Sequence, residues 1–494
     1  MLRLMIGKAG AGKTAAIINE IKRDMASAHG RALMIVPEQY SHEAERELCR
    51  VCGDRLSLYA EVLSFTGLAR ETAAKHGGGA EPWLDKGGRL LCMALALQSV
   101  GSRLRIYSAA QRRAELQALL LSAVDELKSA CIGYDALMTA AASCPDSLGD
   151  KLSDLALILE AYDAAVANGH ADPADRLSIL AGQIDENTDI DANVKIYVDG
   201  FIDFTRQERE ILHAMLRRGA QLTVCLTVDA LDGDNEIFEL SRRAGRELLA
   251  YARELGAEAE IVTLSEQSAK APELTVFADN MFSYSSDKYT PARDAIRLYR
   301  TESMAAECEQ TAALCLEFVR DGGCRWRDIA VVARGFEDYR GSLESAFRHY
   351  GVPLFTARRD DLMSKPLPAL IALAYEIVRG GWAVDDVISY MRTGLAGLAP
   401  AECDVLENYI FKWQLQGGAW HRSADWRQHP DGYGCEYTDE TEETLRRVNA
   451  LRRTLAAPLL AFEEATAKAQ TAAQQAEALA GLFCLLYTSP SPRD

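Results

Sequence analysis

The sequence predicts an α/β protein built on a parallel sheet, and three observations support this prediction. An apolar run at residues 1–6 precedes a glycine-rich turn and apolar side chains at helical spacing, namely Ile17, Ile18, Ile21 and Met25. Two more apolar runs, at 31–36 and 61–66, alternate with a helical pattern at 41–50. Such strand–helix–strand alternation is typical of a doubly wound sheet, whose ligands lie at the carboxyl ends of the strands.

The turn after the first strand matches the phosphate-binding pattern G-x-x-x-x-G-K-[ST]. Its eight residues are Gly7, Lys8, Ala9, Gly10, Ala11, Gly12, Lys13 and Thr14. Glycines let backbone N–H groups turn toward phosphate oxygens, and the next helix adds the positive end of its dipole. Lys13 is predicted to reach the β- and γ-phosphates and Thr14 to ligate Mg²⁺. The alternative is a glycine-rich turn without a ligand.

A second part of this site is predicted at the apolar run 194–199, which ends in Asp199. A carboxylate after a buried strand is the usual second holder of Mg²⁺ in P-loop proteins. Motor ATPases commonly continue with a glutamate that activates water, but the next residue here is Gly200. Asp203 follows closely, and nothing in the sequence shows that it substitutes. The sequence therefore predicts a metal site from Thr14 and Asp199 without the usual base.

Polar residues at the predicted strand ends form a further candidate group. Glu38 and Gln39 follow the second strand, and Ser64 and Thr66 end the third. Because carboxyl ends of parallel strands share one edge, these side chains are predicted to face nucleotide or a second ligand. Ordinary loop polarity explains the same spacing equally well.

Composition limits the class of protein. The chain has 494 residues, 48% hydrophobic and 26% charged, as in a soluble globular protein, and no apolar run long enough to span a membrane. A cytoplasmic location follows as an expectation.

The net charge of −18 argues against a simple basic DNA-binding protein, although a local groove or a partner can supply positive charge. Twelve cysteines are scattered, and the close pair Cys49 and Cys52 is a weak metal signal.

Changes of pattern along the chain predict the domain organisation. Residues 1–80 and 190–270 are predicted as one sheet domain, split by an all-helical insertion at 81–189. Residues 290–400 are predicted as a second parallel-sheet domain without a P-loop, and 401–484 as an incomplete helical insertion. Two sheet domains with one P-loop suggest a single nucleotide site.

Within the second block, strands are predicted at 295–300, 328–334 and 351–355. Arg334, at a predicted strand end, is a candidate phosphate contact; a surface arginine is the alternative. Late aromatic residues are interpreted as buried packing, with base stacking as the alternative: Trp382, Trp413, Trp420 and Trp426. The last ten residues, 485–494, abandon the helical pattern and are interpreted as a non-native tail.

Taken in order, these motifs resemble the B subunit of the bacterial AddAB-type ATP-dependent helicase–nuclease. The resemblance covers about residues 1–484. Besides the P-loop, it rests on these segments: 36–39, 62–65, 197–201, 204–208, 330–334, 350–355, 365–367 and 392–395.

The resemblance implies a superfamily 1 helicase-like architecture with two RecA-like domains, each carrying a helical insertion. It implies ATP and Mg²⁺ as cofactors and a heterodimer with a motor–nuclease A subunit. It also implies single- and double-stranded DNA as partners and the reading of a Chi-type sequence during double-strand break repair. Among the polar residues at the strand ends, Gln39, Ser64 and Thr66 are the candidate DNA contacts. The family's iron–sulfur cluster belongs to a C-terminal nuclease domain that is absent from these residues.

Two alternatives stay open. The first is an active DNA-translocating ATPase in which Asp203, or a later residue, acts as the base. The second is a P-loop kinase for a small molecule, which is disfavoured because no lid-like arginine cluster lies close to the P-loop. Gly200 after Asp199 favours a subunit that binds ATP without being the main motor.

Overall fold

The computed structural model divides the chain into two units, Met1–Tyr299 (unit 1) and Arg300–Asp494 (unit 2). The residues that the structure describes are 1–26, 31–53, 59–77, 81–108, 113–144, 146–186, 190, 193–264, 271–281, 288–291, 295–356 and 361–488.

Unit 1 contains a six-stranded sheet in which every pairing is parallel. Its strands are β1 Leu2–Gly7, β2 Arg31–Ile35, β3 Ala60–Leu63, β4 Val194–Val198, β5 Gln221–Thr227 and β6 Ala259–Thr263, in the order β3-β2-β4-β5-β1-β6. In the register, Leu4 of β1 lies between Val224 of β5 and Ile261 of β6. This sheet confirms the predicted α/β class for unit 1.

Helices cover both faces of the sheet, which explains why the inner strands are almost entirely apolar. The helices of unit 1 are α1 Lys13–Ala26, α2 Ser41–Cys52, α3 Phe65–His76, α4 Lys86–Val100, α5 Ala114–Ser129, α6 Tyr134–Ser143, α7 Asp146–Val166, α8 Arg176–Glu186, α9 Arg206–Arg217, α10 Glu239–Glu254 and α11 Pro272–Asn280. Leu4 of β1 packs toward α3, α8, α9 and α10. Its neighbour Met5 points to the other face, toward α1 and α2. The alternation along β1 is that of a strand buried on both sides.

The region predicted as a helical insertion, 81–189, holds α4 to α8. Side chains of α4, α5, α6 and α7 form a separate apolar core that includes Met93, Val124, Leu137 and Tyr162. Within the described part of this region, the extended pairing that occurs is an isolated bridge between Trp83 and Ala171.

Buried charges hold the insertion together around Asp172, which is 2% exposed. Its carboxylate lies 2.9 Å from Nε of Arg89 and 3.1 Å from Nζ of Lys128, and it accepts the backbone N–H of Ala174. Lys128 is itself buried and also contacts Asp175 at 2.6 Å. Two cations and a backbone donor therefore compensate one buried carboxylate, as burial of a charge requires.

Two strand predictions in unit 1 differ from the structure. The third strand ends at Leu63, because Ser64 accepts the N–H of Gly67 at 3.0 Å and caps α3. Strand β6 was not predicted from the sequence. Most of its side chains are exposed at the sheet edge, so it lacks the apolar run that marks the inner strands.

Unit 2 is helical in its described part. Its helices are α12 Met304–Arg320, α13 Phe336–His349, α14 Pro366–Gly380, α15 Val384–Arg392, α16 Pro400–Trp413, α17 Gly418–His421, α18 Asp439–Lys468 and α19 Ala472–Thr488. They enclose one apolar core formed by α14 to α19 and a smaller one between α12 and α13.

The prediction of a second parallel sheet is wrong for the described residues of the chain. The segments 295–300, 328–334 and 351–355 form no strand there. Their apolar side chains Leu298, Val332 and Phe355 are 97%, 92% and 90% exposed, respectively. A β-branched and aromatic composition forms a strand only when a neighbouring strand is available, and among the described residues these segments pair with none. Ile329, Val352 and Leu354 pack instead against the core of α12 and α13.

The interpretation of the late tryptophans as packing residues is confirmed for three of them. Trp382, Trp420 and Trp426 are at most 6% exposed and lie in the core of unit 2. Trp413 packs partly buried beside that core and donates its indole N–H to the backbone oxygen of His429 at 3.2 Å. Indoles buried in this way are not available to stack on bases.

The expected break at residue 485 is also corrected. Helix α19 continues to Thr488, so residues 485–488 keep the helical pattern. Residues 489–494 lie outside the described part of the chain. In the described residues, no helix combines the length and apolarity needed to cross a membrane.

Candidate nucleotide site

The predicted P-loop joins the end of β1 to the start of α1. Gly10 and Gly12 have φ angles of 88° and 83°, a region that side-chain-bearing residues rarely adopt. A Cβ on Gly7 would lie 2.8 Å from Cβ of Ala11 and 2.9 Å from the carbonyl oxygen of Leu264. The loop therefore needs glycine at these points for conformation or for space.

Lys13, the first residue of α1, folds back over this loop. Its ammonium donates to the carbonyl oxygens of Gly7 at 2.7 Å and Lys8 at 3.0 Å, and the residue is 9% exposed. The backbone N–H of Ala11 also donates to Lys8, which closes the loop. A buried ammonium that donates to neutral carbonyls lies in a place suited to an anion.

Thr14 and Asp199 meet across the sheet edge, as the sequence predicts for a pair that holds one metal ion. The Thr14 hydroxyl donates to Oδ2 of Asp199 at 2.5 Å. Asp199 follows β4 directly, and its backbone N–H donates to Ile35 of β2. The two residues follow strands separated by β5, so the sheet order brings them together.

The donor set fits a nucleotide with Mg²⁺. Hydroxyl and carboxylate oxygens are the ligands that this cation prefers, and it usually takes its remaining ligands from phosphate and water. In the described part of the chain, no group of three or more His, Cys, Asp or Glu side chains could hold a metal by itself. Thr14 and Asp199 offer two oxygen ligands, so they suit a cation that takes its other ligands from phosphate and water.

The thiol of Cys225, on β5, is buried near Asp199. Burial, with the nearby Asp199 carboxylate, raises the pKa of the Cys225 thiol above its ordinary value. Cys225 therefore stays protonated at neutral pH and acts as an apolar packing group.

Gly200 has a structural reason to be glycine. Its φ angle is 86°, and a Cβ built on it would lie 3.1 Å from Cδ of Pro37. A glutamate at this position would hold strained left-handed backbone and crowd Pro37, so the turn after β4 disfavours the usual base.

Replacing Gly200 with alanine is expected to destabilise unit 1 by about 1–2 kcal/mol, because left-handed backbone is costly for a residue with a Cβ. Urea unfolding of the variant measures this loss. Gly182→Ala in α8 is the matched control, since no atom lies within 4 Å of its Cβ position and its φ is not positive. That control should be neutral or stabilising; equal losses in both variants would contradict the argument.

Asp203, the alternative base, is held elsewhere. One carboxylate oxygen accepts the N–H of Phe204 at 2.8 Å, and the other pairs with Arg243 of α10 at 2.8 Å. Both oxygens therefore take part in fixing the turn that precedes α9.

The predicted second group of polar residues lies together at the ends of β2 and β3. Thr66 donates to Glu38 at 3.3 Å and lies 2.9 Å from the Ser64 hydroxyl. Ser64 is buried and caps α3, so its side chain is committed to the fold. Gln39 is exposed in the 3₁₀ turn Glu38–Tyr40, and Thr66 is half-buried. Of the three predicted DNA contacts, Gln39 is thus exposed at this edge, while the hydroxyls of Thr66 and Ser64 are engaged within the fold.

Arg334 is exposed in the turn before α13, in unit 2. Its role as a phosphate contact stays a prediction.

One neighbour of the P-loop was not predicted from the sequence. Asp279 of α11 lies 2.5 Å from Nζ of Lys8, although the two residues are far apart in the sequence. No motif surrounds Asp279, so no local signal pointed to it.

The fold and this site define a class: α/β proteins with a glycine-rich loop between a buried strand and a helix, facing a carboxylate on a nearby strand. Within it, residues 4–277 match the family model described as ADDB, N-terminal. The chain belongs to the family of B subunits of the ATP-dependent helicase/deoxyribonuclease, as the motifs suggested.

Similar curated proteins carry the same description. The chain is 32% identical to the B subunit of the ATP-dependent helicase/deoxyribonuclease of Desulforudis audaxviator, 29% to that of Acetivibrio thermocellus and 27% to that of Clostridium acetobutylicum. Each comparison covers 98% of this chain and 43% of the relative. The chain thus spans less than half the length of these relatives.

Proposed function

We propose that this chain is the ATP-binding, helicase-like part of a helicase–nuclease subunit that processes DNA double-strand breaks for recombinational repair. Its nucleotide-binding part is supported most directly by two contacts: the Lys13 ammonium donates into the P-loop, and the Thr14 hydroxyl donates to Asp199. The names of the relatives supply the helicase–deoxyribonuclease context and, through the word subunit, a partner chain.

In this proposal each residue of the site has a distinct task. Lys13 leaves its two carbonyl acceptors and binds phosphate oxygens, where its charge is better compensated. Thr14 and Asp199 hold Mg²⁺, which neutralises phosphate charge when it is bound. The loop N–H groups and the amino terminus of α1 surround the remaining oxygens.

ATP is proposed to be bound and not rapidly hydrolysed. Gly200 supplies no base, and Asp203 is engaged by Arg243 and the N–H of Phe204. Bound ATP would then set the conformation of a subunit that scans single-stranded DNA for a Chi-type sequence. DNA contacts are proposed for Gln39, which is exposed at the carboxyl edge, and for the half-buried Thr66.

The partners proposed are the motor–nuclease A subunit, as a heterodimer, together with single- and double-stranded DNA. The iron–sulfur cluster and the nuclease carboxylates are assigned to the part of the relatives that this chain does not cover.

The test is binding of MgATP to the purified chain by calorimetry, followed by ATP turnover with and without single-stranded DNA. Binding that requires Mg²⁺, with little turnover, is the expected result. Rapid DNA-stimulated turnover that Asp203→Ala abolishes would favour the translocating ATPase instead. Phosphoryl transfer to a metabolite without DNA would favour a kinase, and absence of nucleotide binding would overturn the proposal.

A further inference from the structure

An exposed ion pair joins the P-loop to α11. Nζ of Lys8 lies 2.5 Å from Oδ1 of Asp279, and the two side chains are 40% and 39% exposed. Lys8 is the second residue of the P-loop, and its carbonyl oxygen accepts both the Lys13 ammonium and the N–H of Ala11. The backbone of Lys8 is therefore fixed in the loop, while its ammonium points to α11.

Little apolar burial holds α11 in place within the described part of the chain. The helix has nine residues, and Glu273 is the side chain of it that is buried there. The apolar side chains Leu274 and Phe277 remain 37% and 52% exposed. A helix this short is unstable alone and gains little here from apolar burial. The Lys8–Asp279 ion pair is therefore one of the few polar contacts that hold it among the described residues, beside the buried Glu273 carboxylate, which accepts the N–H of Ala295 at 2.9 Å.

Strand β6, which precedes α11 in the sequence, ends beside the P-loop. Leu264, directly after β6, donates its N–H to Ile6 of β1 at 2.8 Å, and its carbonyl oxygen lies against Gly7. Leu264, the residue that follows β6, therefore lies beside the first residue of the P-loop.

We propose that Lys8 and Asp279 couple occupancy of the P-loop to the docking of α11. Phosphate oxygens entering the loop compete with the Asp279 carboxylate for the Lys8 ammonium, and their negative charge repels that carboxylate. Nucleotide then releases α11, and an empty P-loop holds it. This inference rests on the proposed nucleotide binding.

The free energy of the ion pair sets the expected effect on nucleotide affinity. An exposed ion pair contributes up to about 1 kcal/mol, so the need to break it on binding lowers the nucleotide affinity of the wild type roughly two- to fivefold. An effect of this size is enough to redistribute a weakly docked helix between two states.

Hydrogen exchange with mass spectrometry tests the proposal on the purified chain, with the magnesium complex of AMP-PNP as the probe. In the wild type, AMP-PNP should slow exchange at residues 7–14 and speed exchange at residues 271–281 at least twofold. In Asp279→Asn, residues 271–281 should exchange fast without AMP-PNP and show no further change. That variant should also bind AMP-PNP roughly two- to fivefold more tightly.

Two further variants separate the coupling from a general change of charge. Glu61→Gln breaks a comparably exposed pair with Arg31, at the opposite end of the strands, and should leave AMP-PNP affinity and α11 exchange unchanged. In a Lys8→Gln background, Asp279→Asn should no longer alter affinity, because its partner is gone.

The outcomes distinguish the two proposals. Protection of residues 7–14 without any change at 271–281 would overturn the coupling and leave nucleotide binding intact. Absence of protection at 7–14 would overturn both.

Discussion

Replacement of Lys13 with methionine is expected to lower the affinity for MgATP roughly 10- to 100-fold. The side chain supplies the ammonium that the loop surrounds, and methionine keeps its length without its charge. In the structure this ammonium donates to the carbonyls of Gly7 and Lys8 at the centre of the loop. Calorimetric titration with MgATP measures the loss.

The control for this variant is Lys22→Met, on the same helix α1 but exposed. It removes the same charge and should leave MgATP affinity within about twofold, since exposed charges at a distance are screened by salt. Unfolding curves for both variants should resemble the wild type. A Lys13→Met protein that is folded and still binds MgATP normally would refute the assignment of the site.

Replacement of Asp172 with asparagine is expected to destabilise the helical insertion by on the order of 3 kcal/mol. Removing the carboxylate leaves Lys128 and Arg89 buried with less compensation, which costs more than the pair itself contributes. Urea unfolding monitored by circular dichroism measures the change.

Asp150→Asn is the matched control, because Asp150 pairs with the exposed Arg105 on the surface of the same insertion. Its effect should stay below about 1 kcal/mol. If the two variants lose equal free energy of unfolding, burial does not determine how much the Asp172 cluster contributes to stability.

The same cluster predicts a pH dependence. Burial acts to raise the pKa of Asp172, but the N–H of Ala174 and the cations Lys128 and Arg89 outweigh it and lower that pKa below its ordinary value. The stabilisation is therefore complete above the unfolded pKa of about 3.9 and is lost as the pH falls through the folded pKa. The advantage of the wild type over Asp172→Asn should be constant near neutral pH and should shrink below about pH 4.

The contribution of Lys128 to stability depends on pH in the opposite direction, at alkaline pH. Burial acts to lower the pKa of Lys128, but the carboxylates of Asp163 and Asp175 raise it above the ordinary value. Its contribution is complete below the unfolded pKa of about 10.4 and is lost only as the pH rises through the folded pKa.

The sequence predicted the parts of the site that local patterns encode. The P-loop spacing fixes a strand, a turn and a helix within a few residues, and Asp199 is marked by the buried run before it. Their meeting at one edge follows from a rule of parallel sheets, so the Thr14–Asp199 contact could be expected without coordinates.

What the sequence did not predict depends on partners distant along the chain. Strand β6 is defined by its pairing with β1, because its own residues are mostly exposed. The apparent strands around Leu298 and Val332 have suitable residues but no neighbours among the described part of the chain. Asp279 reaches Lys8 through tertiary packing alone. The Ser64 cap is an exception. Serine before a helix is a favoured N-cap, so the end of the third strand could have been predicted from local sequence.

The sheet order has a consequence for how this chain is made. Strand β1 pairs with β5 and β6, whose residues lie more than 200 positions later in the sequence. The insertion between β3 and β4 has its own core and contacts close in sequence, so it can fold before the pairing partners of β1 have been synthesised. The P-loop leaves the ribosome well before β5, so its strand gains neighbours late in synthesis. Until then the edges of β1 are unpaired and its apolar residues are exposed to aggregation, which chaperones commonly prevent.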